Sequence, residues 1–403
     1  MTIGEIFKPG WRQRPEALLV LMSLAMPLAF STWMALLNNF TVERAAFTGL
    51  EIGILQSVRE IPGFLAFAVV FILLLMREQT LAFFSLFLLG LGTAITGYLP
   101  SFWGLLLTTT IMSVGFHYFE AVRQSLVLQW VPKEKSPAFM GRMIAVGSFA
   151  GLVVLGLIWG GYRYGGMAME SIYLLGGGAA MALVVFCWIA FPAFRQPVEQ
   201  KKSIVLRKRY WLYYALTFMA GARRQIFVVF AGFLMVEKFG FDLAAMALLL
   251  LANGIASMLL APAIGRLIGH WGERRALILE YIGLIGVFVA YAFVEHPWFA
   301  AGLYIVDHVF FAMAIAIKTY FQKIADPADM ASSAGVSFTI NHIAAVFIPA
   351  LFGMIWLVWP GAVFLIGAGM AFVSLCLAWV IPNNPTPDNI ARLFTPQPAR
   401  AVS

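Results

Sequence analysis

FRQPVEQKKSIVLRKR, residues 194–209, is the longest polar connection in a chain of 403 residues and lies almost at its middle. Six of these residues are basic, and the sequence turns apolar on both sides of them. Before the connection, apolar runs lie near 16–40, 49–76, 79–99, 102–130, 138–161 and 170–193. After it they lie near 210–236, 243–268, 275–294, 298–323, 332–357 and 360–381. A hydrocarbon core of ~30 Å takes about 20 apolar residues of helix. The pattern therefore predicts twelve spans, six on each side. The apolar residues run continuously instead of occupying every second position, which excludes a barrel and leaves helices whose backbone groups are satisfied internally. The expected class is an all-α polytopic membrane protein. Its expected organisation is a six-helix bundle over 1–193, a basic linker over 194–209, a second six-helix bundle over 210–382 and a tail over 383–403.

Composition points the same way. The chain is 62% hydrophobic and 11% charged, whereas a soluble domain carries about 25% charged residues to hold its surface in water. The net charge of +8 therefore does not imply nucleic-acid binding; the bilayer is the partner. Two cysteines, Cys187 and Cys376, each inside an apolar run, supply neither a disulfide framework nor a cysteine metal site. Lys8, Arg12 and Arg14 before an apolar stretch look superficially like a signal peptide. The stretch from about Ala17 to Asn38 is longer than the ~7–15 residues of a signal's apolar region, so it is read as the first span.

Positive charge sets the expected orientation. With both ends inside, nineteen Lys and Arg fall in cytoplasmic segments, and only Arg44, Arg163 and Lys238 fall on the other side. Both termini and the linker are expected in the cytoplasm, and the protein in the plasma membrane, the inner membrane of a bacterium.

Each half carries traces of the other. An offset of 194 brings Val42-Glu43-Arg44 onto Val236-Glu237-Lys238, each ending the first helix of its half, and an offset of 193 brings Gln129 onto Gln322. Weak similarity at corresponding points is how duplicated transporters look. Between the eighth and ninth runs stands Gly265-Arg266-Leu267-Ile268-Gly269-His270-Trp271-Gly272-Glu273-Arg274-Arg275. With six helices plus six, both ends inside and a basic central loop, the chain resembles the major facilitator superfamily over essentially its whole length. The loop looks like that family's pattern of Gly, then Asp-Arg, then Gly-Arg-Arg, with Gly269 and His270 standing where Asp and the first Arg are expected. The corresponding loop Met76-Arg77-Glu78-Gln79 barely retains the pattern. Gly265, Gly272, Arg274 and Arg275 are the gating-loop residues that the resemblance implies. In the fifth span, Gly147, Gly151 and Gly156 are spaced for close helix packing, vaguely like the glycine-rich fifth helix of the family's antiporters. The resemblance implies two pseudo-symmetric six-helix bundles.

Ionisable groups inside spans cost roughly 2.5–3.5 kcal/mol each on insertion scales and normally face a cavity or a partner. The second span has Arg59 and Glu60, beside Pro62, which is expected to open the helix locally; the fourth has His117, Glu120 and Arg123 on one face; the seventh has Arg223 and Arg224. The tenth has Asp307, His308 and Lys318, and the eleventh has His342, expected to be a hydrogen-bonded packing residue. Five cations then face three anions, Glu60, Glu120 and Asp307, a surplus of about two positive charges. Adjacent residues on a helix point about 100° apart, so one of Arg223 and Arg224 is expected to face a cavity and bind an anion while the other meets an acid. Asp307 and Lys318 are expected on one helical face, about 16 Å apart at 1.5 Å per residue. His117-x-x-Glu120 has the spacing of a carboxylate-histidine metal pair, but no second such pair accompanies it, so no metal is expected.

In superfamily members the first, fourth, seventh and tenth spans line the pathway. The resemblance thus places Arg123, Arg223 or Arg224, and Lys318 around it, with Thr32, Trp33, Asn38 and Asn39 on the first span. Glu120, Glu60, Asp307 and His117 are the candidate proton-coupling groups. No Gly-x4-Gly-Lys-Ser/Thr loop occurs, which excludes primary active transport. The reading is a monomeric, cofactor-free secondary transporter working by alternating access, coupled to protons and moving a small organic or phosphorylated anion. The alternatives are a proton-coupled exporter of drugs or hydrophobic compounds and a membrane-embedded enzyme using His117 and Glu120. The enzyme would need a compact catalytic cluster that the sequence does not display.

Overall fold

The computed structural model describes the chain except for residues 1–2, 7, 74, 132–135, 195–205, 327–329 and 392–403. Most of the linker, together with Lys133, Lys135, Arg195, Lys201, Lys202, Arg392 and Arg400 of the charge count, lies outside the described residues. Among the described residues the fold is helical, without a named β-strand. The helices are α1 (Pro15–Glu43), α2 (Gly49–Phe64), α3 (Glu78–Thr96), α4 (Phe102–Trp130), α5 (Ser136–Arg163) and α6 (Met169–Ala190). They continue as α7 (Trp211–Gln225), α8 (Leu243–Trp271), α9 (Glu273–Phe293), α10 (Pro297–Ala312), α11 (Met330–Val358) and α12 (Pro360–Val380). Among the described residues eleven spans, one for each of these segments except α2, are long and apolar enough to cross a bilayer.

Three spans are irregular. The second run was expected to continue to residue 76, but α2 is 16 residues long and tightens into a 3₁₀ turn at Leu65–Ala68 before a last helical turn, Val69–Ile72. The helix runs through Pro62, and the tightening follows Gly63, a residue that weakens a helix interior. In the seventh run, α7 passes into a π-helical segment, Ile226–Ala231, directly after Arg223-Arg224-Gln225, and resumes as Gly232–Glu237. The tenth run breaks at Met313-Ala314, whose N–H groups donate to carbonyls three residues back, Phe310 (2.9 Å) and Phe311 (3.1 Å), before helix resumes at Ile315–Ile324.

The chain forms two compact units. The first comprises Met1–Lys201, Gly232–Ile255 and Pro349–Met354, and the second Lys202–Ala231, Ala256–Ile348 and Ile355–Ser403. In the first, α3 packs on α4 and α6, α1 on α5 and α6, and α2 on α4. Lipid tails are as apolar as the side chains, so close van der Waals contact between helices replaces the hydrophobic drive found in water. Gly90 of α3 and Gly177 of α6 supply it: a Cβ on Gly177 would strike the Gly90 carbonyl and the Ala94 backbone. Gly147 and Gly151 of α5 likewise sit over Ser23 (3.5 Å) and Ser31 (3.3 Å) of α1. Gly156, expected to share that face, meets nothing within 4 Å, because five residues beyond Gly151 a helix has turned by roughly 140°. In the second unit α9 packs on α10 and α12, and α12 on α7. Large apolar side chains such as Trp103, Ile189, Trp298 and Val358 stay exposed at 74% or more, the surface that a lipid solvent requires.

Candidate functional site

In the first unit the polar groups gather on α2 and α4. Arg59 and Glu60, adjacent in sequence, form a buried ion pair, and the Arg59 guanidinium lies 6.0 Å from the centre of the Trp33 ring. The Arg59 carbonyl accepts the Ser113 hydroxyl of α4, which ties the helix near Pro62 to its neighbour. His117 Nδ1 lies 3.0 Å from both the hydroxyl and the carbonyl oxygen of Ser113, which holds the ring against its own helix. One turn on, Arg123 Nη2 donates to Glu120 Oε2 at 2.9 Å. Unlike Arg59 and Glu60, this pair is partly open, with 24% and 26% of the two side chains exposed. It forms one wall of a cavity of about 130 Å³ whose other walls are Val127, Met140, Met143 and Ile144. Among the described residues Glu120 Oε1 has no hydrogen-bond partner. The i,i+3 spacing was legible in sequence; the methionine wall from α5 was not.

On the first span, Trp33 and Asn39 are fully buried and Thr32 bonds its own Leu28 carbonyl at 2.7 Å. Asn39 Nδ2 donates to Glu43 Oε1 (3.0 Å) and to the Phe241 carbonyl (2.8 Å), while half-buried Asn38 lies against Gly232.

The second unit requires a correction. The tally of three interior acids omitted Glu280, in the ninth run, which is fully buried 3.5 Å from Arg223 Nη2. With Glu280 counted, five cations face four acids and the surplus falls to one. Arg223 meets an acid, Glu280. It is wholly buried, its Nη1 donates to the Ser374 hydroxyl of α12, and its Cζ lies 4.4 Å from the centre of the Tyr281 ring. Its neighbour Arg224 is half-buried. Asp307 is fully buried and Lys318 exposed, with the helix break at Met313-Ala314 between them. His308 Nδ1 lies 2.7 Å from the Tyr304 carbonyl, and Phe227 of the π segment packs on the His308 ring at 4.7 Å. His342, hydrogen-bonded at 2.7 Å to the Phe338 carbonyl of its own helix, is buried.

At the gating loop one residue, Gly272, separates α8 from α9. Its φ of 79° is a conformation that side chains with a Cβ rarely adopt. Arg274 donates to Asn383 Oδ1 at 2.8 Å and lies 5.3 Å from the Trp379 ring, Arg275 is exposed, and Gly265 meets nothing within 4 Å. Two acids of these loops that the sequence reading gave no role anchor the neighbouring helix ends. Glu78 accepts from Ser125 (3.1 Å) and Gln129 (2.8 Å), and Glu273 pairs with Lys323 at 2.7 Å. Each acid begins the third helix of its half and holds the end of the fourth.

A helical fold with apolar spans, some interrupted, and buried charged groups within them defines a polytopic membrane protein. The chain belongs to the Major Facilitator Superfamily, whose family model matches residues 17–349. Among solved structures it is similar to the nucleoside transporter NupG, at 15% identity and TM-score 0.71 over 91% of this chain and 98% of that one. It is also similar to a bacterial homolog of the human lysosomal transporter Spinster in an inward-facing, occupied conformation, at 11% identity and TM-score 0.72 over 90% and 95%. No curated protein matches by sequence.

Proposed function

We propose that this protein is a secondary active transporter that couples proton movement to transport of a small organic or phosphorylated anion by alternating access. The observation that carries the reading is the accessibility of Glu120 and Arg123. Arg59–Glu60 and Arg223–Glu280 are sealed, with at most 8% of any of their side chains exposed, whereas Arg123–Glu120 borders a cavity. A planar guanidinium recognises carboxylate or phosphate through two parallel hydrogen bonds. When a substrate anion takes Arg123, Glu120 is left as a carboxylate against Val127, Met140, Met143 and Ile144, an environment that favours its protonated form. Substrate and proton then bind together, which is symport. Arg224, half-buried on α7, is the second candidate for the anion. Glu60, Asp307 and His117 are the further candidates for proton coupling. Two six-helix halves with both termini on the cytoplasmic face of a plasma membrane, working as a monomer, complete the proposal.

The methionine wall favours a second reading, a hydrophobic-compound exporter, because Met side chains adapt to many apolar shapes. Uptake into proteoliposomes distinguishes the two, using carboxylates, nucleosides with and without a phosphate, and lipophilic cations, with and without a pH gradient. Accumulation of an anion that needs an inward proton gradient, and that Glu120→Gln abolishes while downhill exchange persists, supports symport. Normal accumulation in Glu120→Gln moves the coupling role to Glu60 or Asp307, and transport of cations alone ends the anion reading.

A further inference from the structure

The cavity between α4 and α5 sets one ion pair against four apolar side chains. Val127, Met140, Met143 and Ile144 carry no side-chain N–H or O–H group, so among the lining residues the Arg123 guanidinium is the source of hydrogen-bond donors. Its Nη2 is joined to Glu120 Oε2 at 2.9 Å, while Oε1 of the same carboxyl has no partner among the described residues. The pair is thus closed through one oxygen where a guanidinium and a carboxylate can make two parallel bonds. A substrate carboxylate that closes both bonds of the fork outcompetes the single bond to Glu120.

Charge and donors both limit the anion. Arg123 and Glu120 cancel, and none of the other four lining residues is ionisable. A monoanion adds one negative charge, which a proton on Glu120 offsets. A phosphate monoester carries close to two at neutral pH, and the second charge would stand uncompensated against apolar walls. Its three terminal oxygens also exceed the acceptors that one guanidinium edge satisfies, whereas a carboxylate matches that edge.

Size limits the rest of the molecule. The cavity measures about 130 Å³, and an apolar cavity of about 150 Å³ holds benzene. Nucleotides and sugar phosphates are several times larger. The unbranched thioethers of Met140 and Met143 adapt their shape to what they pack against, which suits an aliphatic chain, straight or branched. Resting on the reading of Arg123 as the anion-binding residue, we infer that the substrate is a short aliphatic monocarboxylate of about four or five carbons. Its carboxylate sits on Arg123 and its chain against Val127, Met140, Met143 and Ile144.

Calorimetric titration of the purified full-length protein tests this with acetate, butyrate, 3-methylbutanoate, propyl phosphate and butyramide. Butyrate and 3-methylbutanoate should bind at least about tenfold more tightly than propyl phosphate, which adds charge at similar size, and than butyramide, which removes the charge at the same shape. Arg123→Gln should weaken both acids at least about tenfold. Ile144→Trp adds bulk at a position that is 64% exposed; it should weaken 3-methylbutanoate about tenfold and leave acetate unchanged. If propyl phosphate binds as tightly as butyrate and Arg123→Gln removes both, Arg123 remains the anion site and the monocarboxylate inference falls. If butyramide matches butyrate, or the acids bind Arg123→Gln undiminished, the anion reading itself falls. Undiminished 3-methylbutanoate binding in Ile144→Trp, or no binding by any of the acids, also overturns the inference. If Arg123→Gln fails to yield monodisperse protein, the comparison of butyrate with propyl phosphate and butyramide on the wild type decides alone.

Discussion

Arg123–Glu120 and Arg223–Glu280 consist of the same residue types and differ in almost everything else. The first pair is neighbours on one helix, closes at 2.9 Å and is about a quarter exposed beside a cavity. The second joins two helices across 57 positions of sequence, stands at 3.5 Å and is wholly buried. Water or a solute can replace either partner in the first pair, so its contribution to stability is small and its partners can be exchanged. Both side chains of the second are sealed from solvent, so removing one leaves the other charge without water to compensate it. Exposure, and not residue identity, separates a pair suited to binding from one suited to holding helices together.

The largest expected effect breaks the sealed pair. Glu280→Ala should cost about 3–5 kcal/mol of stability, whereas Glu120→Ala should cost less than about 1 kcal/mol. Unfolding of both variants in detergent checks this, and equal losses would erase the distinction. Next comes Ser374→Ala, which removes the hydroxyl that accepts from Arg223 and should cost roughly 1.5–3 kcal/mol, the usual range for a hydrogen bond to a charged group. Loss of transport without loss of stability in that variant would instead place Ser374 among the substrate contacts.

The open pair sharpens under a conservative change. Arg123→Lys keeps the charge but loses the two-bond fork, so affinity for an anionic substrate should fall at least about tenfold with the unfolding midpoint unchanged. A binding titration of purified protein reads it, and an unaltered affinity would remove Arg123 from the site. The smallest effect belongs to the cavity wall. Ile144, 64% exposed, should tolerate Ala within about 0.5 kcal/mol while changing which substrates the cavity accepts, as competition between a small and a bulky anion would reveal.

Several features of this molecule were legible before any coordinate. Continuous apolar runs of span length admit one solution in a bilayer, because unpaired backbone groups are too costly there, and so the helical fold followed from composition and length. The i,i+3 spacing of Glu120 and Arg123 was equally readable, since helical geometry alone brings such residues together. Glu280 was also visible as an acid inside the ninth run and was passed over because no charged residue near it in sequence marked it as important. The 3₁₀ turn after Gly63 had a local cue, although it falls past the proline and not at it.

Tertiary structure alone decided the rest. No Pro or Gly occurs at Met313-Ala314 or within Ile226–Phe230, so neither the broken tenth helix nor the π segment had a local signature; both follow from how neighbouring helices pack. The same holds for which arginine is sealed. Arg223 and Arg224 are adjacent and chemically identical, and only the placement of Glu280, Ser374 and Tyr281 by α9 and α12 separates them. Local sequence determines periodicity and solvent preference, because those depend on a residue and its near neighbours along one helix. The environment of a buried charge depends on atoms dozens of positions away, and it exists only once the helices have packed.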